Sequence, residues 1–460
     1  CDDDDDSILA GAGDDTVNAG DGADTVLGDI GNDVIDGGTG NDSLSGGGDN
    51  DSVSGGQGDD WLSGNSGNDT VSGGDGADSV FGAEGDDVMF GDAGNDSMEG
   101  WIGNDTMSGG ADDDYIDGAD GNDSLMGDDG NDTLLGGNNG GQDTLDGGAG
   151  NDSMLSGDGD DTLIGGTGDD TQQGAGGDDT FVLGDDFGND EIQGAETGET
   201  SGDTLDASAV TQDTTLDLSA VVAGDPESGT LSNGTDTTTF QQIENITLGS
   251  GNDAVTGSTS DDVVATGAGA DTVDGGTGND SFDIGAGDGA ADTVVLADGD
   301  GSDTITGFEA PTDLGGGSYS GNDLLDVSGL TDADGAQVNT GDVVVTDTNG
   351  DGTGDAILQF PNGETLTLVG VSPSPVSDPA ALAAMGIPAP DYIVEGTAAG
   401  ELIDGSYLGD PEGDVVDGGD SALGNDDDSI DAGAGDDTVL AGLGDDSIEG
   451  KLGDDWIEGG

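Results

Sequence analysis

An aspartate recurs every nine residues from Asp6 to Asp132, fifteen times without a gap. After a two-residue insertion within residues 138–142 the spacing resumes at Asp143 and runs to Asp179, adding five units. Two residues after each of these aspartates stands an apolar side chain, from Ile8, Val17 and Val26 onward to Phe181, with Gln172 the one exception among twenty. A period of nine is read here as a glycine-rich turn of six residues followed by a three-residue strand whose middle side chain points inward. Glycine supplies the positive φ that such a turn needs. One unit cannot bury its apolar side chain alone, so units must stack. Two units make an 18-residue coil with two parallel sheets and a thin core between them. Met89, Met98, Met107 and Met154 fall at the inward position and read as core filling, which suits a flexible thioether. The expected class is all-β, a parallel β-solenoid of nonapeptide repeats with irregular β segments between repeat blocks.

Two shorter blocks repeat the pattern. Asp253, Asp262, Asp271 and Asp280 precede Val255, Val264, Val273 and Phe282, and Asp428, Asp437, Asp446 and Asp455 precede Ile430, Val439, Ile448 and Ile457. Composition sharpens the problem these aspartates pose. The chain carries 105 Asp plus Glu against one Lys (Lys451) and no His, a formal charge of −104. With so few apolar residues such a charge would ordinarily prevent folding. Fixed spacing of the acids points instead to neutralisation by a divalent cation. Nucleic acid is excluded as a partner, because phosphate is bound through Lys and Arg. Cys1 is the sole cysteine, so neither an internal disulfide nor a cysteine zinc site is available. No segment approaches the roughly 20 apolar residues of a membrane-spanning helix. Without His the serine triad and the zinc-protease motif are absent, and acidic pairs are expected in every turn at this density. The chain reads as no enzyme.

Gly55-Gly56-Gln57-Gly58-Asp59-Asp60-Trp61-Leu62-Ser63 and Gly73-Gly74-Asp75-Gly76-Ala77-Asp78-Ser79-Val80-Phe81 both fit the pattern Gly-Gly-x-Gly-x-Asp-x-apolar-x. In this the chain resembles the repeats-in-toxin (RTX, hemolysin-type) calcium-binding proteins. The resemblance implies a parallel β-roll in which Ca²⁺ is held between stacked turns by Asp carboxylates and turn carbonyls. It further implies type I secretion, with the chain unfolded in calcium-poor cytosol and folding outside, in the extracellular space or on the cell surface. The ligands so implied in the long block are Asp15, Asp24, Asp33, Asp42, Asp51, Asp60, Asp69, Asp78, Asp87, Asp96, Asp105, Asp114, Asp123, Asp132, Asp143, Asp152, Asp161, Asp170 and Asp179. In the short blocks they are Asp253, Asp262, Asp271 and Asp280, and Asp428, Asp437, Asp446 and Asp455. Asp49, in place of a turn glycine, and Trp101 and Ile102, read as turn residues, mark weaker sites.

Hard oxygen ligands favour Ca²⁺ over soft metals, and one ion bridging each turn to the equivalent turn one coil on gives about 18 ions in the long block and roughly four in the short ones, roughly 20 in all and about +44 of charge. Coils stack about 4.8 Å apart, so without a cation each neighbouring carboxylate pair costs on the order of 3 kcal/mol at an effective dielectric near 20. Over a block this exceeds the ~5–15 kcal/mol by which a domain is stable. The metal-free chain is therefore expected to be unfolded, with binding and folding one equilibrium.

Five regions follow: a long roll over 1–190, an irregular β connector over 191–250, a second short roll over 251–310, a non-repeat β segment over 311–395, and a third repeat block over 396–460. In the fourth, residues 341–346, 356–360 and 365–369 read as strands. Asp378, Pro379 and Gly386 bracket a short helix as N-cap, N1 and C′ residues, and Pro373, Pro375, Pro388 and Pro390 mark a linker. The loop from Asp347 to Asp355 places oxygens at Asp347, Asn349 and Asp351, spaced as in a helix-flanked calcium loop. No flanking helices are evident, and a plain acidic hairpin loop is the other reading. Residues 396–405, with Asp428 onward, look like secreted proteins of marine alphaproteobacteria, where similar segments precede a self-processing Hint domain. Both ends of the chain stand in open repeats, which suggests end-to-end self-association or continuation into further repeats. Two functions fit: an extracellular filament, surface-layer or matrix component, or the calcium-dependent folding and secretion module of a larger adhesin or enzyme.

Overall fold

The computed structural model describes residues 4–195, 200–219, 227–315, 318–332, 335–389, 393–395, 402–403, 429–434, 437–441 and 446–459. Contacts divide the chain into two compact units, Cys1–Asp288 and Gly289–Gly460.

The first unit is a parallel β-solenoid, as expected. Strands alternate between two sheets, and each pairs in parallel with the strand 18 residues away: Ser43–Gly48 lies between Thr25–Ile30 and Trp61–Ser66 in one sheet, and Ser52–Gln57 between Val34–Thr39 and Thr70–Asp75 in the other. The inward positions align into two columns, for example Leu44 on Leu62 on Val80, and all three are buried. Met89, Met98, Met107 and Met154 are buried in the same columns.

The strands are longer than the sequence pattern suggests. Through the long block they run six residues, as in Ser52–Gln57, because main-chain pairing continues through the glycines: Gly58 N donates to Asp75 O at 2.7 Å and Gly67 N to Glu84 O at 2.8 Å. Trp101 and Ile102 accordingly end the strand Ser97–Ile102 rather than sitting in a loop, with their side chains half exposed. From Thr180–Val182 onward most strands of this unit shorten to three residues. An antiparallel strand, Gly229–Ser232, is inserted between Thr215–Asp217 and Thr237–Gln241, and the parallel order then resumes with Ala254–Thr256 and Thr272–Asp274.

In the second unit Thr293–Ala297 pairs in parallel with Leu324–Gly329, and Ser302–Thr306 with Thr365–Val369. Val344–Asp347, Ala356–Gln359 and Thr365–Val369 form an antiparallel meander, so the loop 347–355 is a hairpin connection. The helix Pro379–Ala384 is capped by Asp378, whose carboxylate accepts from Ala380 N, and is followed by Gly386 at φ +103°. Ile430, Ala432, Val439 and Ala441 form a small separate core, beside which Lys451 Nζ meets Asp431 Oδ2 at 2.6 Å.

At the fourth residue of the repeat glycine prevails, with Asp49 and Asp112 among the exceptions. At Gly58 φ is +128°, and a Cβ there would lie 2.0 Å from Gly40 O of the preceding coil. Gly58→Ala is expected to cost ~2 kcal/mol or more. Gln57→Ala at the exposed neighbouring position should stay within about 0.5 kcal/mol. Urea unfolding at saturating Ca²⁺ measures both; equal midpoints would refute this account of the turn.

Candidate metal centres

Each ladder aspartate turns its carboxylate inward across its own turn, and the two oxygens meet different fates. Oδ1 accepts the main-chain N–H of the ladder aspartate one coil earlier: Asp24 N to Asp42 Oδ1 at 2.8 Å, Asp42 N to Asp60 Oδ1 at 2.7 Å, Asp60 N to Asp78 Oδ1 at 2.7 Å. Oδ2 of every ladder carboxylate from Asp24 through Asp132 is buried and has no hydrogen-bond partner, as is that of Asp152, Asp170, Asp179 and Asp253. A buried carboxylate oxygen left this way is costly.

The orphan oxygens face a specific space. A Cβ built on Gly37 would lie 2.4 Å from Asp42 Oδ2 and 2.6 Å from Gly55 O of the next coil; on Gly55 it would lie 2.3 Å from Asp60 Oδ2 and 2.5 Å from Gly73 O. At these two turns only a glycine leaves room for this pair, a carboxylate and a carbonyl converging across the coil step. Among the described residues no three Asp, Glu, His or Cys side chains converge. The donor set is thus one carboxylate supplemented by main-chain carbonyls. These are hard oxygens of the kind Ca²⁺ prefers, and the chain's own residues fit such an ion. When bound, the ion supplies the positive charge that the chain itself lacks.

Burial pushes the ladder carboxyls from Asp42 to Asp179 up. Desolvation is the first cause, the N–H from the preceding coil opposes it, and repulsion from ladder neighbours adds to it; Asp60, Asp87, Asp96, Asp114, Asp143, Asp152 and Asp179 reach about 7. Asp51, Asp105 and Asp123 reach about 6 for the same leading reason.

Three positions depart from the rule. At the turn before Asp161, Ser156 replaces the glycine, and its buried hydroxyl donates to Gly174 O at 2.9 Å. It thereby occupies the carbonyl that neighbouring turns leave open. Asp262 is satisfied locally: Ser258 N donates to its Oδ2 at 2.7 Å and Ser258 Oγ to its Oδ1 at 2.9 Å. In the hairpin loop, main-chain N–H groups of Asn349 and Asp351 bond Asp347 Oδ1 and that of Gly352 bonds Oδ2. Desolvation is the largest single influence on the Asp347 carboxyl and raises it, but these donors together outweigh it and hold the group low. Asn349 Nδ2 donates to Thr353 Oγ1, and Asp351 Oδ1 accepts from Thr353 N at 3.0 Å.

Elsewhere the ladder is regular. Asp253 N and Asp262 N donate to Asp271 and Asp280 Oδ1 at 2.8 and 2.9 Å, and Asp437 N donates to Asp455 Oδ1 at 3.1 Å. Asp15 N donates to Asp33 Oδ1 at 2.8 Å. Asp446 precedes Ser447–Glu449; Asp428 lies outside the described residues.

The structure also adds members that a fixed period of nine passes over. Asp170 N donates to Asp190 Oδ1 at 3.0 Å and Asp179 N to Asp203 Oδ1 at 2.7 Å, across steps of 20 and 24 residues. Asp292 N donates to Asp323 Oδ1 at 3.2 Å. The signal was available as Asp-x-apolar triplets, Asp190-Glu191-Ile192 and Asp203-Thr204-Leu205. A second ladder was also missed: where the residue before a ladder aspartate is Asn or Asp it can bond in the opposite sense, so Asn32 Oδ1 accepts from Asn50 N at 3.1 Å and Asn50 Oδ1 from Asn68 N at 3.0 Å.

A family model described as the RTX calcium-binding nonapeptide repeat (4 copies) matches residues 2–35, 27–62, 63–98, 102–134, 137–172, 155–187, 247–282 and 423–457, together more than half of the chain. No curated protein matches it. Among solved structures, the extracellular lipase LipA from Serratia marcescens is similar at 18% identity, with a TM-score of 0.18, over 64% of this chain and 44% of the lipase. The chain thus spans less than half the length of that protein.

Two outcomes follow from the geometry. A carboxyl raised in the folded state stabilises the fold fully below its ordinary pKa of 3.8, and that contribution is lost as pH rises through about 7. In chelator, far-UV circular dichroism should therefore show β structure near pH 4.5 that disappears by about pH 8; β structure unchanged across that range would refute the carboxylate account. Restoring glycine by Ser156→Gly should add one Ca²⁺ per chain in native mass spectrometry. An unchanged or lower count would show that the hydroxyl does not close the site.

Proposed function

The chain belongs to the family of RTX calcium-binding nonapeptide repeat proteins, and from that premise we propose that it is an extracellular structural β-solenoid, built by Ca²⁺ after secretion, that serves as a filament, surface-layer or matrix component. Its repeats bind Ca²⁺ in number. The observation that carries the reading is the column of buried carboxylates from Asp24 through Asp132, each with one oxygen unpartnered, in a chain with a single basic residue. In calcium-poor cytosol nothing opposes their repulsion and the chain stays unfolded, as export in an extended state requires. Outside, binding energy becomes folding energy. We further propose that this chain performs no catalysis. It has no His and no Arg, and the buried carboxylates from Asp24 through Asp132 are committed to the ladder. The large negative charge left after ion binding keeps such a surface soluble and resists unspecific association.

The test is a Ca²⁺ titration after EGTA, followed together by far-UV circular dichroism and light scattering. A coil-to-β transition with growing particles is expected. The same transition at constant monomer mass would overturn the filament reading in favour of a folding and secretion module of a larger protein. No transition would overturn the calcium-built solenoid.

A further inference from the structure

In turn after turn the space beside the first repeat glycine is closed by two oxygens. At Gly147 a Cβ would lie 2.4 Å from Asp152 Oδ2 and 2.7 Å from Gly165 O, the carbonyl one coil on. At Gly165 the second oxygen is gone. The equivalent residue one coil on is Leu183, where the chain leaves the register and the next ladder aspartate is delayed to Asp190. The point beside Gly165 has Asp170 Oδ2 at 2.5 Å, and its next neighbour is the side-chain amide of Gln172, with Nε2 at 2.8 Å. The third-nearest atom is Asp170 Cγ at 3.3 Å, so no carbonyl of the next coil comes closer.

Gln172 is the one inward residue of the twenty-unit series that is not apolar. It stands in the strand Thr171–Gly176, between Met154 and Ile192 on the neighbouring strands. It is 1% exposed, and neither Oε1 nor Nε2 has a hydrogen-bond partner. A buried amide with no partner is costly, and nothing in the packing of an apolar column calls for one. Its carbonyl oxygen is a hard ligand of the class Ca²⁺ takes from Asn and Gln. A half-turn about the Cγ–Cδ bond exchanges Oε1 and Nε2.

We propose that Gln172 completes a Ca²⁺ site at the Gly165 turn, its side-chain carbonyl standing with Asp170 Oδ2 where the main-chain carbonyl of the next coil stands in the regular turns. The proposal rests on the reading of the turns as Ca²⁺ sites, and it makes Gln172 the residue that lets ion binding continue where the register breaks. The core position gives up an apolar side chain for an oxygen.

The experiment counts ions on the full chain by native mass spectrometry across a Ca²⁺ series, for the parent and for Gln172→Leu. Leucine stands at this position in Leu145 and Leu163 of nearby units, so a merely structural glutamine predicts a variant with the same count and a raised melting temperature. The proposal predicts the reverse: one ion fewer than the parent, still missing at ten times the Ca²⁺ that saturates the parent. An equal count overturns it. Should the leucine variant fail to fold, Gln172→Met, the residue used at Met89, Met98, Met107 and Met154, gives the same comparison. A parent that takes up no ions would instead overturn the calcium reading of the whole roll.

Discussion

The fold depends on how one carboxylate is divided between two tasks. Oδ1 of each ladder aspartate ties its coil to the one before by accepting a main-chain N–H, as Asp51 does from Asp33 at 2.7 Å. That bond carries the carboxylate into the interior and leaves Oδ2 stranded there. Coil-to-coil cohesion and electrostatic instability are therefore produced by the same side chain, and one cannot be removed without the other. A protein core would normally avoid this by using Asn, which can satisfy the same N–H without charge. The retention of Asp at all twenty positions makes sense only if the second oxygen has a cationic partner.

The glycines follow from the same division. At Gly37 the obstacle to a side chain is Asp42 Oδ2 and a carbonyl, and at Gly58 it is the carbonyl of Gly40. At most turns the first glycine answers to the oxygens and the fourth to the closeness of the coils, with Ala10, Ala19 and Ser156 at the first position and Asp49 and Asp112 at the fourth among the exceptions. The second position is more tolerant: Asp29, Asn65, Ala83 and Trp101 all hold positive φ there. Asn and Asp tolerate the left-handed region, whereas alanine and tryptophan are strained in it. A solenoid whose coils are each bound on two sides can absorb isolated strain of this kind.

Much of this was legible in the sequence, and the reasons differ by element. Inward residues such as Leu44, Val80 and Ile116 were readable because a nine-residue period leaves one apolar position per unit, and all three are buried. Six-residue strands were not, because glycines carry no pattern that separates a bend from a paired backbone. Asp190 and Asp203 escaped because insertions changed the spacing while preserving the bond, and a ladder bond is indifferent to what its turn does on the outside. Asp262 was read as a ligand by position alone. The nearby Ser258, which supplies two donors, is invisible to a rule that looks at one residue per unit. The oxygens of the hairpin loop were spaced for a cation, but spacing says nothing about the N–H groups that the loop itself turns toward Asp347.

Where the register breaks, the protein changes its way of stabilising a carboxylate. Asp178 stands at the edge of the long block, exposed, and accepts from Thr200 Oγ1 and N at 2.6 and 2.7 Å, as well as from Ser201 and Gly202 N. The Thr200 hydroxyl leads these donors in holding the carboxyl down at about 2. Asp185 meets Thr211, and Asp298 meets Thr331, in the same fashion. These clasps use dipoles in water, where an anion costs little. Asp179, the very next residue after Asp178, is buried and pushed to about 7. Two adjacent aspartates thus lie at opposite ends of the carboxylate range because one faces several donors and solvent and the other is buried with a single N–H, from Asp161, on Oδ1. The clasps are made of hydrogen bonds, whereas the ladder between them presents buried oxygens without a partner. On the proposed function, calcium dependence therefore belongs to the ladder, and a joint such as that of Asp178 with Thr200 holds its local shape on hydrogen bonds.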